Sequence, residues 1–299
     1  RGNNQQIRQP IEPAPLSPLV AESLRRAAQL ETPESAGAEG VYDVHRVATY
    51  AYEQGKPLRI TERLRCRVLN RAGVESMTLL STTFNPLCER VFINELVVRD
   101  EQDVEIARGS LEDYYVMDDS ADGLDSYNQL LKAPVPGVRP GCTIDFTMTT
   151  EKLSQNAKFG FHGRFLCSSR ECGVNAVCLQ GDIDRVAFES RGVSPVKPDD
   201  RTVVWIAGNT PAAVKEPFQP DPEEYLPVVQ LCDAGASWQS LSREYLTDLA
   251  ALLERDPEVQ RLAAELVNSH EPLARRIEIL ARYVQDAITY QGLEFGVRG

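Results

Sequence analysis

Residues 130–147 read LLKAPVPGVRPGCTIDFT and form an unusual corner in the sequence. Three prolines in this segment cannot donate ladder hydrogen bonds, and two glycines permit backbone dihedrals that other residues avoid. These residues are Pro134, Pro136, Pro140, Gly137 and Gly141. We expect an extended, turning connection over residues 133–141, then a half-buried strand over residues 142–148, where polar and apolar side chains alternate. A corner followed by a strand predicts a chain that turns between the sheets of a β-sandwich.

Short β-rich runs lie on both sides of this segment. They cover residues 41–50, 58–69, 75–84, 90–98, 104–107, 158–166, 174–179, 186–190 and 202–207. No helical periodicity separates them, which favours a sandwich over a parallel sheet. From Ser237 the apolar residues follow helical spacing, as Trp238, Leu241 and Tyr245 do. The sequence thus predicts a mainly β fold, a multi-stranded antiparallel β-sandwich followed by a small α-helical segment.

The predicted organisation has three parts. Residues 1–40 begin rich in proline and then contain one helical run, which predicts a linker with a short helix. Residues 41–232 form the β-sandwich, and residues 233–299 form the helical segment. The two tryptophans, Trp205 and Trp238, are expected to be core anchors rather than parts of a ligand cage.

The overall charge argues against two classes of partner. A formal net charge of -12, with a pI of about 4.9, repels a nucleic-acid backbone and an anionic membrane. Arg63, Arg65 and Arg67 alternate along one predicted strand and are interpreted as a solvated face rather than a basic patch. No stretch approaches about 18 consecutive apolar residues, so the sequence predicts no membrane insertion. From the negative net charge, it also predicts no nucleic-acid partner.

Seven cysteines, none of them in a Cys-x-x-Cys pair, do not indicate a disulfide scaffold at this chain length. Four metal-capable residues lie close together in the sequence: His162, Cys167, Cys172 and Cys178. Zinc takes thiolate and imidazole ligands, but these spacings fit no common zinc knuckle. The alternatives are a disulfide across a turn, from Cys167 to Cys172 or from Cys172 to Cys178, and unpaired thiols. No cofactor is predicted.

Several segments together carry a resemblance to a known family. PVPGVRPGCTIDF at residues 134–146 resembles a mid-domain signature of the uncharacterised β-sandwich domain found just upstream of transglutaminase-like domains in many bacterial envelope proteins. VVWIAGNTPAAVKEPF at residues 203–218 resembles its tryptophan strand and exit, and DAGASWQSLSREY at residues 233–245 resembles its helix start. AITYQGLEFGVRG at residues 287–299 resembles the lead-in to the transglutaminase core, so the resemblance spans residues 41–299.

The resemblance implies a non-catalytic accessory role. The cysteine nucleophile of transglutaminase-like domains stands in a Gly-Asp-Cys context, which this sequence lacks, so no catalytic residue carries over. The resemblance implies that residues 233–299 open a transglutaminase-like α+β domain, with its downstream core as the expected partner. The β-sandwich would position that core or bind a protein or glycan. The family's occurrence in envelope proteins implies an extracytoplasmic location.

Two further hypotheses remain open from the residues themselves. One is a stand-alone envelope binding module in which the helices serve only as a cap. The other is an enzyme that uses either the zinc candidates or the thiol of Cys232. Cys232 lies just before the first helix predicted for residues 233–299, and a helix N-terminus lowers a thiol pKa. No histidine is close to Cys232 in the sequence.

Overall fold

The computed structural model describes residues 5–38, 40–119, 127–153, 159–213, 216–253 and 256–287. Its helices are α1 Gln5–Arg8, α2 Pro18–Ala28, α3 Arg71–Met77, α4 Trp238–Leu253, α5 Pro257–Leu266 and α6 Leu273–Ala287. Its strands are β1 Val41–Tyr52, β2 Leu58–Val68, β3 Leu79–Phe84, β4 Glu89–Arg99, β5 Glu105–Arg108, β6 Tyr115–Asp118, β7 Gln129–Pro134, β8 Thr143–Lys152, β9 His162–Phe165, β10 Cys172–Gly181, β11 Val186–Arg191, β12 Val196–Asp199, β13 Thr202–Thr210 and β14 Val228–Asp233. Short 3₁₀ segments cover Glu34–Ala38, Ile183–Arg185 and Pro222–Glu224.

Three sheets form the β-sandwich. The large sheet has the order β12-β13-β10-β1-β2-β8-β4-β5, and the small sheets have the orders β3-β7-β6 and β11-β14-β9. Ile60 and Cys66 lie on the same face of β2, because side chains alternate along a strand. Cys66 packs in the core beneath β3 and β7, and Ile60 packs in the core beneath β14. Both small sheets therefore cover one face of the large sheet. The predicted mainly β, antiparallel fold class is confirmed, although β1 pairs with β10 in parallel.

The corner between β7 and β8 carries the chain from a small sheet into the large one. Gly137 and Gly141 adopt φ values of 68° and 85°, in the region that L side chains avoid. The amide of Gly141 donates to the carbonyl of Val68 at 2.7 Å, and the amide of Val68 donates to the carbonyl of Cys142 at 2.8 Å. The chain therefore turns between sheets over the residues that separate Pro134 of β7 from Thr143 of β8, where the sequence places the corner.

The segment predicted to be a linker, residues 1–40, packs instead on the other face of the large sheet. Val20 and Ala27 of α2 are buried, and Val20 contacts the cluster that contains Val47 of β1. The large sheet thus has a layer on each face, formed by the two small sheets on one side and by the N-terminal segment on the other. The linker prediction is wrong because the apolar residues of α2 have a sheet face to cover.

Arginines of β2 hold this N-terminal segment in place, and one of them, Arg59, donates to the carbonyl of Glu12 at 3.1 Å. Nη1 of Arg67 donates to Oγ1 of Thr32 at 2.8 Å, and the guanidinium of Arg63 donates to the carbonyl of Ala14. Arg65 pairs with Asp103 and Asp145. The interpretation of these arginines as a solvated face is therefore corrected, because the face carries a covering segment and acidic partners.

The chain divides into two units, Arg1–Gly235 and Ala236–Gly299. In the second unit α5 and α6 contact each other, and none of the described side chains from 236 to 287 is buried. Trp205 is fully buried in the sandwich, whereas Trp238 is 86% exposed, so Trp238 is not the core anchor that the sequence predicts. The described part of the second unit encloses no core around Trp238.

Two further predictions concern the lead-in at the C-terminal end of the chain and membrane insertion. The predicted lead-in at residues 287–299 lies, after Ala287, outside the described residues. Within the part that the structure describes, no helix is both long enough and apolar enough to span a bilayer.

Candidate functional site

All seven cysteines are free thiols. The alternative of a disulfide from Cys172 to Cys178 is wrong, because both lie on β10 with no turn between them. At about 3.3 Å per residue, a strand holds such a pair roughly 20 Å apart, far beyond bonding distance. Burial raises the pKa of each of these thiols to about 12, which makes both poor nucleophiles. Cys167 lies half-buried before β10 and is also unpaired.

The candidate zinc ligands do not form a site. His162 begins β9 and packs against Tyr50 and Phe159, with ring-centroid distances of 5.2 and 5.4 Å. Cys178 lies on the opposite face of the large sheet, in the cluster beneath α2. Burial lowers the pKa of His162 to about 4, so the ring is neutral at physiological pH. No group of three metal-binding side chains occurs among the residues that the structure describes.

Cys232 lies in strand β14, where it is paired with Ala187 of β11. The first helix of the second unit begins later, at Trp238. The thiol therefore lies within a sheet rather than at a helix N-terminus, and the activation expected from a helix end does not apply to it.

A cavity of about 250 Å³ lies between the large sheet and the small sheet formed by β3 and β7. One part of its lining is apolar and the other part is charged. The apolar residues are Val47, Leu64, Leu80, Ile93, Leu131, Ala133, Phe146 and Met148, and Ser81 and Thr82 of β3 add two hydroxyl groups. The charged residues on the same side as β9 are Arg46, Glu62, Arg164 and Arg170. This two-sided lining makes the cavity the strongest candidate for a binding site in the first unit.

A β-bulge in β1 places two charged residues on the cavity side of the large sheet. The register with β2 shifts between Asp43 and His45, so that Asp43 lies opposite Cys66 and Arg46 lies opposite Leu64. Cys66 and Leu64 belong to the core beneath β3 and β7. The bulge therefore turns a carboxylate and a guanidinium toward a face that otherwise carries apolar side chains.

Asp43 is fully buried between two arginines. Its Oδ2 accepts a hydrogen bond from Nη1 of Arg46 at 3.3 Å, and its Oδ1 lies 3.5 Å from Nη1 of Arg170. Oδ1 itself accepts no hydrogen bond from the residues that the structure describes, and Nη1 of Arg170 also lies 3.3 Å from Sδ of Met77. Burial raises the pKa of Asp43, and the charges of Arg170 and Arg46 oppose this rise without cancelling it.

The third arginine forms an ion pair across the rim of the cavity. Arg164 of β9 pairs with Glu62 of β2, and their side chains are 40% and 34% exposed. Burial lowers the pKa of Arg164, but a guanidinium keeps its charge at neutral pH. Three arginines against two carboxylates leave this side of the cavity with one positive charge in excess. The arrangement is suited to binding an anion.

This cluster of charged residues cannot be recognised from the sequence. Asp43 and Arg46 are distant in sequence from Arg164 and Arg170, and the four residues match no motif. The available signal was two charges, Asp43 and Arg46, inside an otherwise apolar strand pattern, which is unusual for a strand that pairs on both sides. In a regular strand the side chains of Asp43 and Arg46 would lie on opposite faces. The bulge places them on the same face, which the alternation in the sequence does not indicate.

The sequence of this chain matches one known family. The family model of DUF3857, a domain of unknown function, matches residues 58–223. This match confirms the expectation of an uncharacterised domain, and it does not extend to the segment expected to be transglutaminase-like. No curated protein matches the chain.

The fold is similar to that of solved structures. A crystal structure described as that of a "putative protease" from Parabacteroides distasonis ATCC 8503 aligns with a TM-score of 0.64 and 13% identity, over 82% of this chain and 50% of that chain. This chain thus spans about half the length of that protein, and at such identity the likeness concerns the fold alone. An M1 zinc metallopeptidase from Deinococcus radiodurans aligns with a TM-score of 0.31 and 9% identity, over 64% of this chain and 42% of that chain, too weakly to support an argument.

Proposed function

This chain belongs to the DUF3857 family, and from that premise we propose that it is a non-catalytic accessory region of a transglutaminase-like protein. In this proposal the β-sandwich, residues 41–232, supports and positions a downstream core, and residues 233–299 supply the first helices of the domain that contains the core. The resemblance of residues 233–245 and 287–299 to the segments that lead into such cores is one support.

The observation that carries the proposal is the exposed apolar face of the C-terminal helices. The side chains involved are each more than half exposed and lie at helical spacing on α4 and α6. They are Trp238, Leu241, Tyr245, Leu273, Ile277 and Val284. An amphipathic helix normally buries such a stripe against another element, and large exposed apolar patches mark interaction surfaces. These helices therefore fit a surface that another folded segment covers.

The state of the thiols supports the non-catalytic part of the proposal. Burial raises the pKa of Cys66, Cys142, Cys172 and Cys178 and disfavours the reactive thiolate. Cys232 lies in a strand, away from a helix N-terminus.

Amide hydrogen exchange tests the proposal directly. Exchange in α4 and α6 is compared between the 299-residue chain and the product of the same reading frame continued beyond Gly299. We expect strong additional protection of both helices in the longer protein, because its core buries their apolar faces. Unchanged exchange in these helices, or a reading frame that stops after Gly299, would contradict the proposal.

A pair of matched variants separates docking from general damage. Leu241 on α4 and Leu87 in the first unit are 52% and 69% exposed. In the longer protein, Leu241→Asp is expected to remove the added protection of α4 and α6, whereas Leu87→Asp leaves it unchanged. Equal effects of the two substitutions would count against docking through α4.

A second candidate function is a stand-alone binding module for a protein or glycan at the cell envelope. The arginine-lined cavity favours this candidate, because it lies entirely within the unit Arg1–Gly235. Residues 1–235 would then unfold in one cooperative transition when produced alone, with the same midpoint as in the full chain. A fragment that does not fold alone would exclude this second candidate.

A further inference from the structure

We propose that the cavity between the large sheet and β3 and β7 binds a small organic anion, a carboxylate or phosphate ester carried on an apolar body. This ligand site is separate from the accessory role and from the C-terminal helices. It rests on the geometry of one cavity whose two sides have opposite chemical character.

The charged side provides donors that their present partners do not exhaust. A guanidinium carries five N–H donors, and Asp43 takes one close contact each from Arg46 and Arg170. Among the described residues, Arg164 pairs with the carboxylate of Glu62. Because Arg46 and Arg164 are 38% and 40% exposed, an anion can reach them from solvent. Carboxylates and phosphates are the groups that arginine clusters bind through paired hydrogen bonds.

The apolar side indicates what the anionic group is attached to. Leu131 and Met148 are buried at the cavity wall, and Leu80 and Phe146 are half-buried beside them. A cavity of about 150 Å³ accommodates benzene, so the 250 Å³ here accommodates a ligand of about ten non-hydrogen atoms. Octanoate has this size, octyl phosphate is about three atoms larger, and both have this division between charge and hydrocarbon.

A purely structural role for the arginines makes a different prediction. Arg46 and Arg170 neutralise the buried Asp43, and that task requires no cavity and no positive excess. The Arg164–Glu62 pair lies at the rim, where Glu62 competes with an incoming anion for the same guanidinium. Removing Glu62 should therefore strengthen binding, whereas removing Arg164 should weaken it. A change in fold stability alone would not move the two affinities in opposite directions.

Isothermal titration of the full chain with octanoate and octyl phosphate, each below its micellar concentration, tests the proposal. Octanol and octylammonium serve as neutral and cationic controls, and inorganic phosphate serves as the anionic group alone. We expect the two anionic amphiphiles to bind at least about tenfold more tightly than octanol, octylammonium or inorganic phosphate. The ratio of octanoate to octyl phosphate affinity then distinguishes a carboxylate from a phosphate ligand.

Three variants assign the binding to the cavity. Glu62→Gln is expected to tighten octanoate binding and Arg164→Met to weaken it, each by about tenfold. Arg71→Met, at a side chain that is 91% exposed on α3, is expected to change nothing. The proposal is overturned if octanol binds as tightly as octanoate, if inorganic phosphate alone binds as tightly, or if Glu62→Gln and Arg164→Met shift the affinity in the same direction.

Discussion

Arg170 and Asp43 form an ion pair in which Nη1 of the arginine lies 3.5 Å from Oδ1 of a carboxylate that is 0% exposed. A buried carboxylate is costly unless charges or hydrogen bonds compensate for the water it loses. Here the compensation is incomplete, because Oδ1 accepts no hydrogen bond from the described residues and burial still raises the pKa of Asp43. Asp43 is thus held at a cost to the stability of the fold, which is a reason to look for a role in the adjacent cavity.

The raised pKa of Asp43 predicts a specific pH dependence of stability. Below the ordinary value of 3.8, the folded and unfolded states both hold the proton, and the carboxyl carries no charge penalty. As pH rises from there through the higher pKa of the folded state, the folded protein loses stability, by about 1.4 kcal/mol for each unit that separates the two values. Relative to Asp43→Asn, the wild-type chain should therefore become less stable as pH increases, and the difference should then level off. Urea unfolding of both proteins between about pH 3 and 7 measures this, and a constant difference would contradict it.

The lowered pKa of His162 predicts the opposite pH dependence of stability. Burial lowers its pKa from 6.5 to about 4, so its contribution to stability is present above pH 6.5 and is lost as pH falls through 4. The shift corresponds to at most about 3 kcal/mol of unfolding free energy. His162→Phe keeps an aromatic ring beside Tyr50 and should reduce the loss of stability in acid, measured by urea unfolding.

The parts of the fold that follow local rules could be predicted from the sequence. Prolines and glycines determine the corner at residues 133–141, and alternation along β2 gives its two faces. The sequence predicts a strand over residues 75–84, but residues 75–77 belong to helix α3, because the side chain of Asn70 accepts a hydrogen bond from the amide of Gly73 and caps the helix. The spacing of apolar residues does not show which side chain caps which backbone amide.

The missed features depend on contacts between distant segments. The N-terminal segment could not be placed from its composition, since its bonds to Arg63 and Arg67 join residues more than thirty positions apart. The cavity depends on a bulge between Asp43 and His45, which reverses the alternation from which strand faces are predicted. Burial of a charge such as Asp43 is likewise a property of the assembled sheets and not of its neighbours in sequence.

The hydrogen bonds of Arg67 lead to a prediction about how firmly the N-terminal segment is attached to the large sheet. Its guanidinium donates to the carbonyls of Ala28 and Leu30, at 3.3 and 3.2 Å, and to Oγ1 of Thr32 at 2.8 Å. Arg67→Met removes these bonds but keeps the aliphatic part of the side chain, and we expect a loss of about 1–3 kcal/mol of stability. Limited proteolysis should then cleave near residues 28–32 several-fold faster.

The control for this prediction is Arg71→Met. Arg71 is 91% exposed and pairs with Glu75 within α3, so its loss should change stability by less than about 0.5 kcal/mol. If the two variants are cleaved at the same rate near residues 28–32, Arg67 does not hold the segment.

The positive φ of Gly141 leads to a prediction about how strongly the corner between β7 and β8 requires glycine. Its φ is 85°, and an added Cβ would lie 2.3 Å from Oε1 of Glu101, whereas Gly55, with φ of 80°, has nothing within 4 Å. The left-handed backbone alone costs an alanine about 1–2 kcal/mol. Because Glu101 is exposed and its carboxylate can swing away, we expect Gly141→Ala and Gly55→Ala to lower the unfolding free energy by similar amounts. If urea unfolding instead gives a much larger loss for Gly141→Ala, adding Glu101→Ala shows whether the contact is responsible. A loss that persists in the double variant would mean that the corner itself, and not Glu101, requires glycine.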